Sequence, residues 1–128
     1  MAKRWQDQGY SAYKLALGYG VDIDTETVAA VREAVGDRDK IMVDAHWRYT
    51  VPEAIALGHE LEKLGLFFLE APTAPEDTLG QAEIARALTV PVAVGEELSS
   101  TLQVMLHSKA SLPSGRVKAR EFLYPHGL

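Results

Sequence analysis

Apolar residues in this chain form short continuous runs that alternate with longer stretches of helical spacing. The short runs at residues 13–17, 41–43, 66–69 and 90–94 are bounded by polar or turn-forming residues, as buried strands are. Strand and helix patterns alternate up to residue 94, which predicts βαβ units and a parallel sheet with covered faces. The sheet could be open or part of a barrel, because right-handed crossovers build both.

Polar residues at the starts of the periodic stretches predict where the helices begin. The first helix is expected to start with Asp24 as its cap and to end at Gly36. The second opens with a capping box at Thr50, repeats apolar residues at helical spacing and ends at Gly65. Residues 78–81 form a weaker capping pattern before the third helix. These signals place one helix between each pair of consecutive strands.

The composition is that of one globular domain and narrows the chemistry that the chain can carry. The chain has 128 residues, 47% hydrophobic and 24% charged, which is enough apolar material for a core. It contains no cysteine, so a bound metal would need carboxylate, imidazole or carbonyl ligands, which favours hard cations. No apolar run approaches the ~20 residues of a membrane helix and no signal-peptide core is present, so we expect a cytoplasmic protein.

Charge is distributed unevenly along the chain. Residues 1–101 carry nine basic and 17 acidic side chains, whereas residues 102–128 carry four and one. An acidic body argues against nucleic acid or a membrane as a partner, because both need a positive footprint. The regular pattern also stops after residue 101. We therefore expect a folded domain at residues 1–101 and an irregular basic tail at residues 102–128.

Three carboxylates stand at the ends of consecutive predicted strands and carry the candidate chemistry. Asp44, Glu70 and Glu96 are separated by 26 residues each, so they should lie side by side on one rim of a parallel sheet. Converging carboxylates repel one another unless a proton or cation intervenes. Oxygen ligands suit Mg²⁺, which would act as a Lewis acid on a substrate carboxylate and stabilise the enediolate formed when the adjacent proton is removed.

Five segments carry a resemblance to a known family: GYSAYKL at residues 9–15, VREAVG at 31–36, VDA at 43–45, LEAP at 69–72 and PVAVGE at 91–96. Over roughly residues 1–100 the chain resembles the mandelate racemase and muconate lactonizing enzyme branch of the enolase superfamily. The resemblance implies an α/β fold, about half of a TIM-type (β/α) barrel with four parallel strands. It also implies that Asp44, Glu70 and Glu96 are Mg²⁺ ligands on the third, fourth and fifth barrel strands.

The position of the family's catalytic lysine differs in this chain. The family often has a Lys-x-Lys pair on the second barrel strand, and the second lysine is a base. Here the sequence reads Lys14-Leu15-Ala16, so alanine occupies the position of that base. Lys14 lies two residues away, on the same face of the strand. It is a candidate for electrostatic stabilisation in catalysis, or it pairs with an acid at the barrel mouth.

His46 is the second position at which this chain differs from many members of the family, and the histidine indicates a type of reaction. Many relatives have asparagine two residues after the first metal ligand, whereas some acid-sugar dehydratases have histidine there as the general acid that expels the β-hydroxyl. By that resemblance His46 is a candidate catalytic acid, because an imidazole suits proton donation near neutrality. The alternative is a histidine that only forms hydrogen bonds at the rim. The implied substrate is a small acid sugar, and a homo-oligomer is compatible with the family.

The chain is too short for a complete eight-stranded barrel, and this affects the activity that we expect of it. An eight-stranded barrel needs ~250 residues, and a half-barrel leaves two sheet edges and an apolar face uncovered. We therefore expect a truncated, inactive fragment of such an enzyme. One alternative is a non-catalytic fragment that docks on a full-length relative. Another is a receiver-like signalling domain with Asp44 as phosphate acceptor, although its paired acids after the first strand are missing.

Overall fold

The computed structural model describes residues 2–94 and the backbone of Val117–Lys118. Its helices and strands alternate along the chain as the apolar pattern predicts. In chain order they are α1 Ala2–Asp7, β1 Ala12–Ala16, α2 Val21–Val35, β2 Lys40–Asp44, α3 Val51–Lys63, β3 Phe68–Glu70, α4 Thr78–Ala87, β4 Val92–Ala93 and β5 Val117–Lys118.

The strands form one parallel sheet in the order β1-β2-β3-β4-β5. Each strand lies beside the one that precedes it, whereas an open doubly wound sheet reverses its strand order at a switch point. The sequential order is that of a barrel segment, and it contradicts the receiver-like alternative. The register aligns the ends of the first four strands in one row: Ala16, Asp44, Glu70 and Ala93.

Alternation along the strands separates two faces of the sheet. On the helix side, Ile41, Val43, Leu69 and Val92 are fully buried and belong to one core cluster with apolar residues of α2, α3 and α4. On the other face, Met42, Phe68 and Ala93 form a second, smaller cluster. Because side chains alternate, the residues that hold the helices and the residues at the strand ends occupy different faces. We call the second face the inner face.

The helix boundaries agree with the sequence at two positions. The capping box of α3 is present, with the Thr50 side chain accepting from the Glu53 backbone and the Glu53 side chain accepting from the Thr50 backbone. Gly36 follows α2 with a φ of 81°, which glycine adopts without steric cost. The sequence predicted both positions because each depends only on residues within one helical turn.

Two predicted caps are wrong. Helix α2 begins at Val21 with Gly20 in the cap position, four residues before the predicted cap, and Asp24 is a fully buried residue of its first turn. Helix α4 is capped by Asp77, whose side chain accepts from the backbone N–H of Gly80 at 2.8 Å. At α4 the neighbouring Asp77 takes the cap position, whereas at α2 the cap position is Gly20 and the Asp24 carboxylate is used elsewhere in the fold.

The four predicted strands are present, shifted by one or two residues at their ends. The sequence predicted no strand in the tail, but Val117–Lys118 pairs in parallel with β4. The rest of the predicted tail lies outside the described residues. Among the described residues, no helix has the length and apolar character needed to cross a membrane.

Candidate metal centre

Two of the predicted metal ligands are neighbours on the inner face. Asp44 ends β2 and Glu70 ends β3, and the two residues are paired in the sheet register. Glu70 is fully buried and Asp44 is 8% exposed. The Ala45 backbone N–H donates to the Glu70 carbonyl at 2.9 Å, so the pairing continues past the strand ends. The 26-residue spacing therefore placed these two carboxylates correctly at one rim.

Lys14 joins the two carboxylates from β1. Its Nζ lies 2.6 Å from Glu70 Oε2 and 4.0 Å from Asp44 Oδ2. The lysine is two residues before Ala16 on the inner face, as side-chain alternation predicts. The ammonium group balances negative charge that would otherwise accumulate on the buried carboxylates. Pairing with an acid at the barrel mouth, one of the two expectations for Lys14, is confirmed.

His46 folds back against the first carboxylate. Its backbone N–H donates to Asp44 Oδ1 at 3.0 Å, and its Nδ1 lies 3.3 Å from both Asp44 Oδ1 and the Asp44 carbonyl oxygen. The imidazole is 43% exposed, so its other edge is open to solvent. A proton donor in this position could serve a molecule bound above the carboxylates and be reprotonated from water.

The loops that follow β2 and β3 have an unusual backbone. His46, Trp47 and Ala71 have φ values of 52°, 59° and 49°, in the left-handed region that residues with a Cβ rarely adopt. The Trp47 N–H donates to the Ala71 carbonyl at 2.7 Å, and the Tyr49 N–H donates to the Pro72 carbonyl at 3.2 Å. The two loops are therefore tied to each other directly above Asp44 and Glu70. No glycine at these positions signalled the conformation in the sequence.

Asp24 and Tyr49 form a buried pair that the sequence did not predict. The Tyr49 hydroxyl donates a short hydrogen bond to Asp24 Oδ2 and accepts from the Gly20 N–H at 3.0 Å. Burial and the hydrogen bond to Asp24 raise the pKa of Tyr49. The sequence predicts only a helix cap at Asp24.

Gln81 is a third residue that sequence reasoning missed. It is 2% exposed, and its Nε2 donates to the carbonyl oxygens of Thr73 and Ala74 at 2.8 and 3.3 Å. The amide therefore fixes the loop after β3 to α4. The sequence carried no usable signal, because a glutamine in a helix is ordinarily solvent exposed.

The donor set fits a hard cation. Asp44 and Glu70 supply carboxylate oxygens, which hard cations prefer as ligands, on adjacent strands. The Lys14 ammonium lies against both carboxylates and balances part of their negative charge. The third predicted ligand, Glu96, lies outside the described residues. Among the described residues, no three His, Cys, Asp or Glu side chains group closely enough to hold a metal ion.

Comparisons with known proteins identify the family of this chain. The model of the enolase C-terminal domain-like family matches residues 1–110. The D-galactarolactone cycloisomerase of Agrobacterium fabrum is 41% identical over 96 residues, 75% of this chain and 25% of that protein. The L-talarate/galactarate dehydratase of Salmonella typhimurium is 36% identical over 96 residues, 74% of this chain and 24% of that protein. The chain thus spans about a quarter of the length of these relatives.

A solved structure shows the same similarity in three dimensions. A racemase from Streptomyces coelicolor A3(2) with bound magnesium superposes with a TM-score of 0.81 and 33% identity, covering 89% of this chain and 32% of that protein. The fold is thus a fragment of the larger α/β architecture of its relatives. With most of its residues matched by the family model, this chain belongs to the enolase C-terminal domain-like family, within the mandelate racemase-like part of the enolase superfamily.

Proposed function

We propose that this chain forms the metal-binding side of a magnesium-dependent enolase-superfamily active site. In that site a proton alpha to a substrate carboxylate is abstracted. The observation that carries the proposal is the adjacency of Asp44 and Glu70 at the strand ends, bridged by Lys14. Neighbouring buried carboxylates cost stability unless positive charge accompanies them, and the single ammonium of Lys14 does not balance two carboxylates, so the rim favours a further cation. The bound magnesium in the S. coelicolor racemase supports the choice of metal.

The proposed metal ligands are Asp44, Glu70 and Glu96. When bound, Mg²⁺ supplies Lewis-acid stabilisation of the enediolate form of the substrate. The protein's part is to hold the two described carboxylates in register and to exclude water from Glu70, which is fully buried. Lys14 contributes a positive charge that favours an anionic substrate beside the carboxylates.

The proposed reaction is the dehydration of an acid sugar. His46 faces solvent beside Asp44, where it can donate a proton to a departing β-hydroxyl. Ala16 cannot accept a proton, so the base that removes the alpha proton belongs to a part of the barrel beyond the described residues. The Salmonella relative is named for dehydration of talarate and galactarate, whereas the Agrobacterium relative is a cycloisomerase, so the choice of dehydration rests on His46.

We further propose that this chain alone is an inactive fragment and that it is located in the cytoplasm. The substrates proposed for the complete enzyme are small carboxylates. The chain spans about a quarter of its relatives' length, and a complete barrel needs ~250 residues. The alternative is a chain that docks on a full-length relative without catalysis. Size-exclusion chromatography of a mixture of the two proteins separates these cases, because only docking produces a joint peak. Turnover of an acid sugar by the isolated monomer would contradict the proposed inactivity.

Thermal unfolding with Mg²⁺ and then with a chelator tests the metal site. A ligand that binds only the folded chain stabilises it, by about 2.7 kcal/mol at a hundred times its dissociation constant. We expect Mg²⁺ to raise the transition of the unaltered chain and of Asp37→Asn, which changes an exposed acid away from the rim. Asp44→Asn and Glu70→Gln should lose the shift. An equal shift in all four proteins would reject these ligands.

The role of His46 needs a complete barrel. We would replace the matching segment of a full-length relative with residues 12–94 and compare the chimera with its His46→Asn variant. Loss of a general acid should stop formation of the dehydrated keto acid, while exchange of the alpha proton with deuterated solvent continues. If His46→Asn leaves dehydration unchanged, His46 is only a hydrogen-bonding residue of the rim.

A further inference from the structure

Asp24 is a buried carboxylate that the proposed mechanism does not use. It is fully buried in the first turn of α2. Its Oδ2 accepts from the Gly18 N–H at 2.8 Å and from the Tyr49 hydroxyl, and its Oδ1 accepts from the Tyr19 N–H at 3.2 Å. The turn after β1 therefore wraps around the Asp24 carboxylate. Tyr49 links that turn to the loop after β2.

The linked loop is the one that carries His46. It leaves β2 at Asp44 and enters α3 after Tyr49, with His46 and Trp47 in left-handed conformations between these points. Such conformations are strained and persist only where the surroundings fix them. Trp47 is held on one side by the Ala71 carbonyl. On the other side, the Tyr49 hydroxyl ties the loop to Asp24.

The turn after β1 also packs tightly on this loop. A Cβ added at Gly18 would lie 2.7 Å from Arg48 Cδ and 2.9 Å from the Ala45 carbonyl oxygen. The turn can approach this closely only because residue 18 is glycine. A change in the position of the turn would therefore be transmitted to the backbone at residues 45–48.

We propose that the Asp24–Tyr49 pair is a positioning device that holds the loop at residues 45–49 so that His46 lies against Asp44. The inference rests on the proposed function and deepens it. Neither side chain is proposed as a metal ligand or proton donor, and both act through the loop. Without the Tyr49 hydroxyl, the Asp24 carboxylate loses a donor and the Gly20 N–H loses its acceptor, so the turn and the loop are no longer joined.

The test uses the full chain and a local fluorescence signal. The chain has two tryptophans, so a Trp5→Phe background leaves Trp47 as the reporter of the loop. In this background we would compare Tyr49→Phe and Asp24→Asn with Ile84→Val, which removes one methyl group from a buried core residue of α4 and leaves both hydrogen-bonding residues in place. Acrylamide quenching of Trp47 in metal-free protein reports loop order. The apparent affinity for Mg²⁺ is read from the thermal shift.

In Tyr49→Phe and Asp24→Asn we expect the acrylamide quenching of Trp47 to rise toward the value of free tryptophan amide. They should also lose about tenfold in Mg²⁺ affinity, as outer-shell substitutions do. Ile84→Val should change neither quantity. Unchanged quenching in folded Tyr49→Phe and Asp24→Asn, or equal changes in Ile84→Val, would overturn the positioning role. If no protein responds to Mg²⁺, the proposed function fails, and the quenching comparison still decides the role of the pair.

Discussion

Arg32 provides a sharp test of how the helix layer is held together. Its guanidinium reaches past the end of α2 and donates to backbone carbonyl oxygens of two chain segments that lead into strands. The acceptors are Gly36 at 2.8 Å, Asp39 at 2.6 Å, Leu64 at 2.8 Å and Gly65 at 3.1 Å. The perturbation is Arg32→Met, which keeps a long apolar side chain and removes every donor.

The expected loss of stability follows from the burial of these bonds. Those to Gly36 and Gly65 are exposed, so water can replace the guanidinium there. Those to Asp39 and Leu64 are partly buried, and bonds to a charged group contribute about 1.5–3 kcal/mol each. Counting two bonds at the lower limit gives a loss of about 3 kcal/mol. That is a large share of the roughly 5–15 kcal/mol that stabilises a typical domain.

The assay is urea unfolding followed by circular dichroism. With a dependence of about 1–3 kcal/mol per molar urea, the midpoint of Arg32→Met should fall by about 1–3 M. The control is Arg38→Met, which removes the same charge from an exposed side chain. If Arg32→Met and Arg38→Met unfold at the same midpoint, the carbonyl oxygens are satisfied by water, and the reasoning from their hydrogen bonds is refuted.

Three further predictions concern titration and packing. Because burial raises the pKa of Tyr49, the stabilisation from its neutral hydroxyl is fully present below the unfolded pKa of about 10 and is lost as the pH rises further. Tyrosinate absorbance should show one of the five tyrosines ionising only as the chain unfolds, and simple titration of all five would contradict this. Hydrogen bonds from Thr50 lower the pKa of Glu53, so its contribution is present above the unfolded pKa of about 4.3 and is lost as the pH falls. The melting temperature of Glu53→Gln should therefore fall less at acid pH than that of the unaltered chain, and identical pH profiles would contradict a stabilising role of the ionised Glu53. In Gly58→Ala the new methyl group would overlap the buried Leu88 side chain, so calorimetry should show a loss of about 1–3 kcal/mol, and an unchanged melting temperature would mean that Leu88 moves aside freely.

The sequence predicted the features that depend on short-range patterns. Apolar runs located the strands, and the equal spacing of the acids placed Asp44 and Glu70 at one rim in the correct register. The capping box at Thr50 was readable because its two bonds form within a single turn. These features need only alternation and helical spacing, which a single sequence displays.

Contacts between distant segments were not predictable in this way. Asp24 looks like a cap because a carboxylate near a helix start fits that role, and only the fold brings the Tyr49 hydroxyl to it. Lys14 lies nearer to Glu70 on β3 than to Asp44 on the adjacent β2, so its partner depends on how the side chains converge over the inner face. The left-handed backbone at Ala71 has no glycine to announce it.

The alternation of side chains along β1 has a consequence for how such proteins can diverge. Leu15 packs with the helix layer, whereas Lys14 and Ala16 belong to the opposite face. Selection can therefore replace a residue at position 16 without disturbing the contacts that fold the chain. A change of chemical group at this position alters the inner face and leaves the packing of Leu15 against the helices as it is.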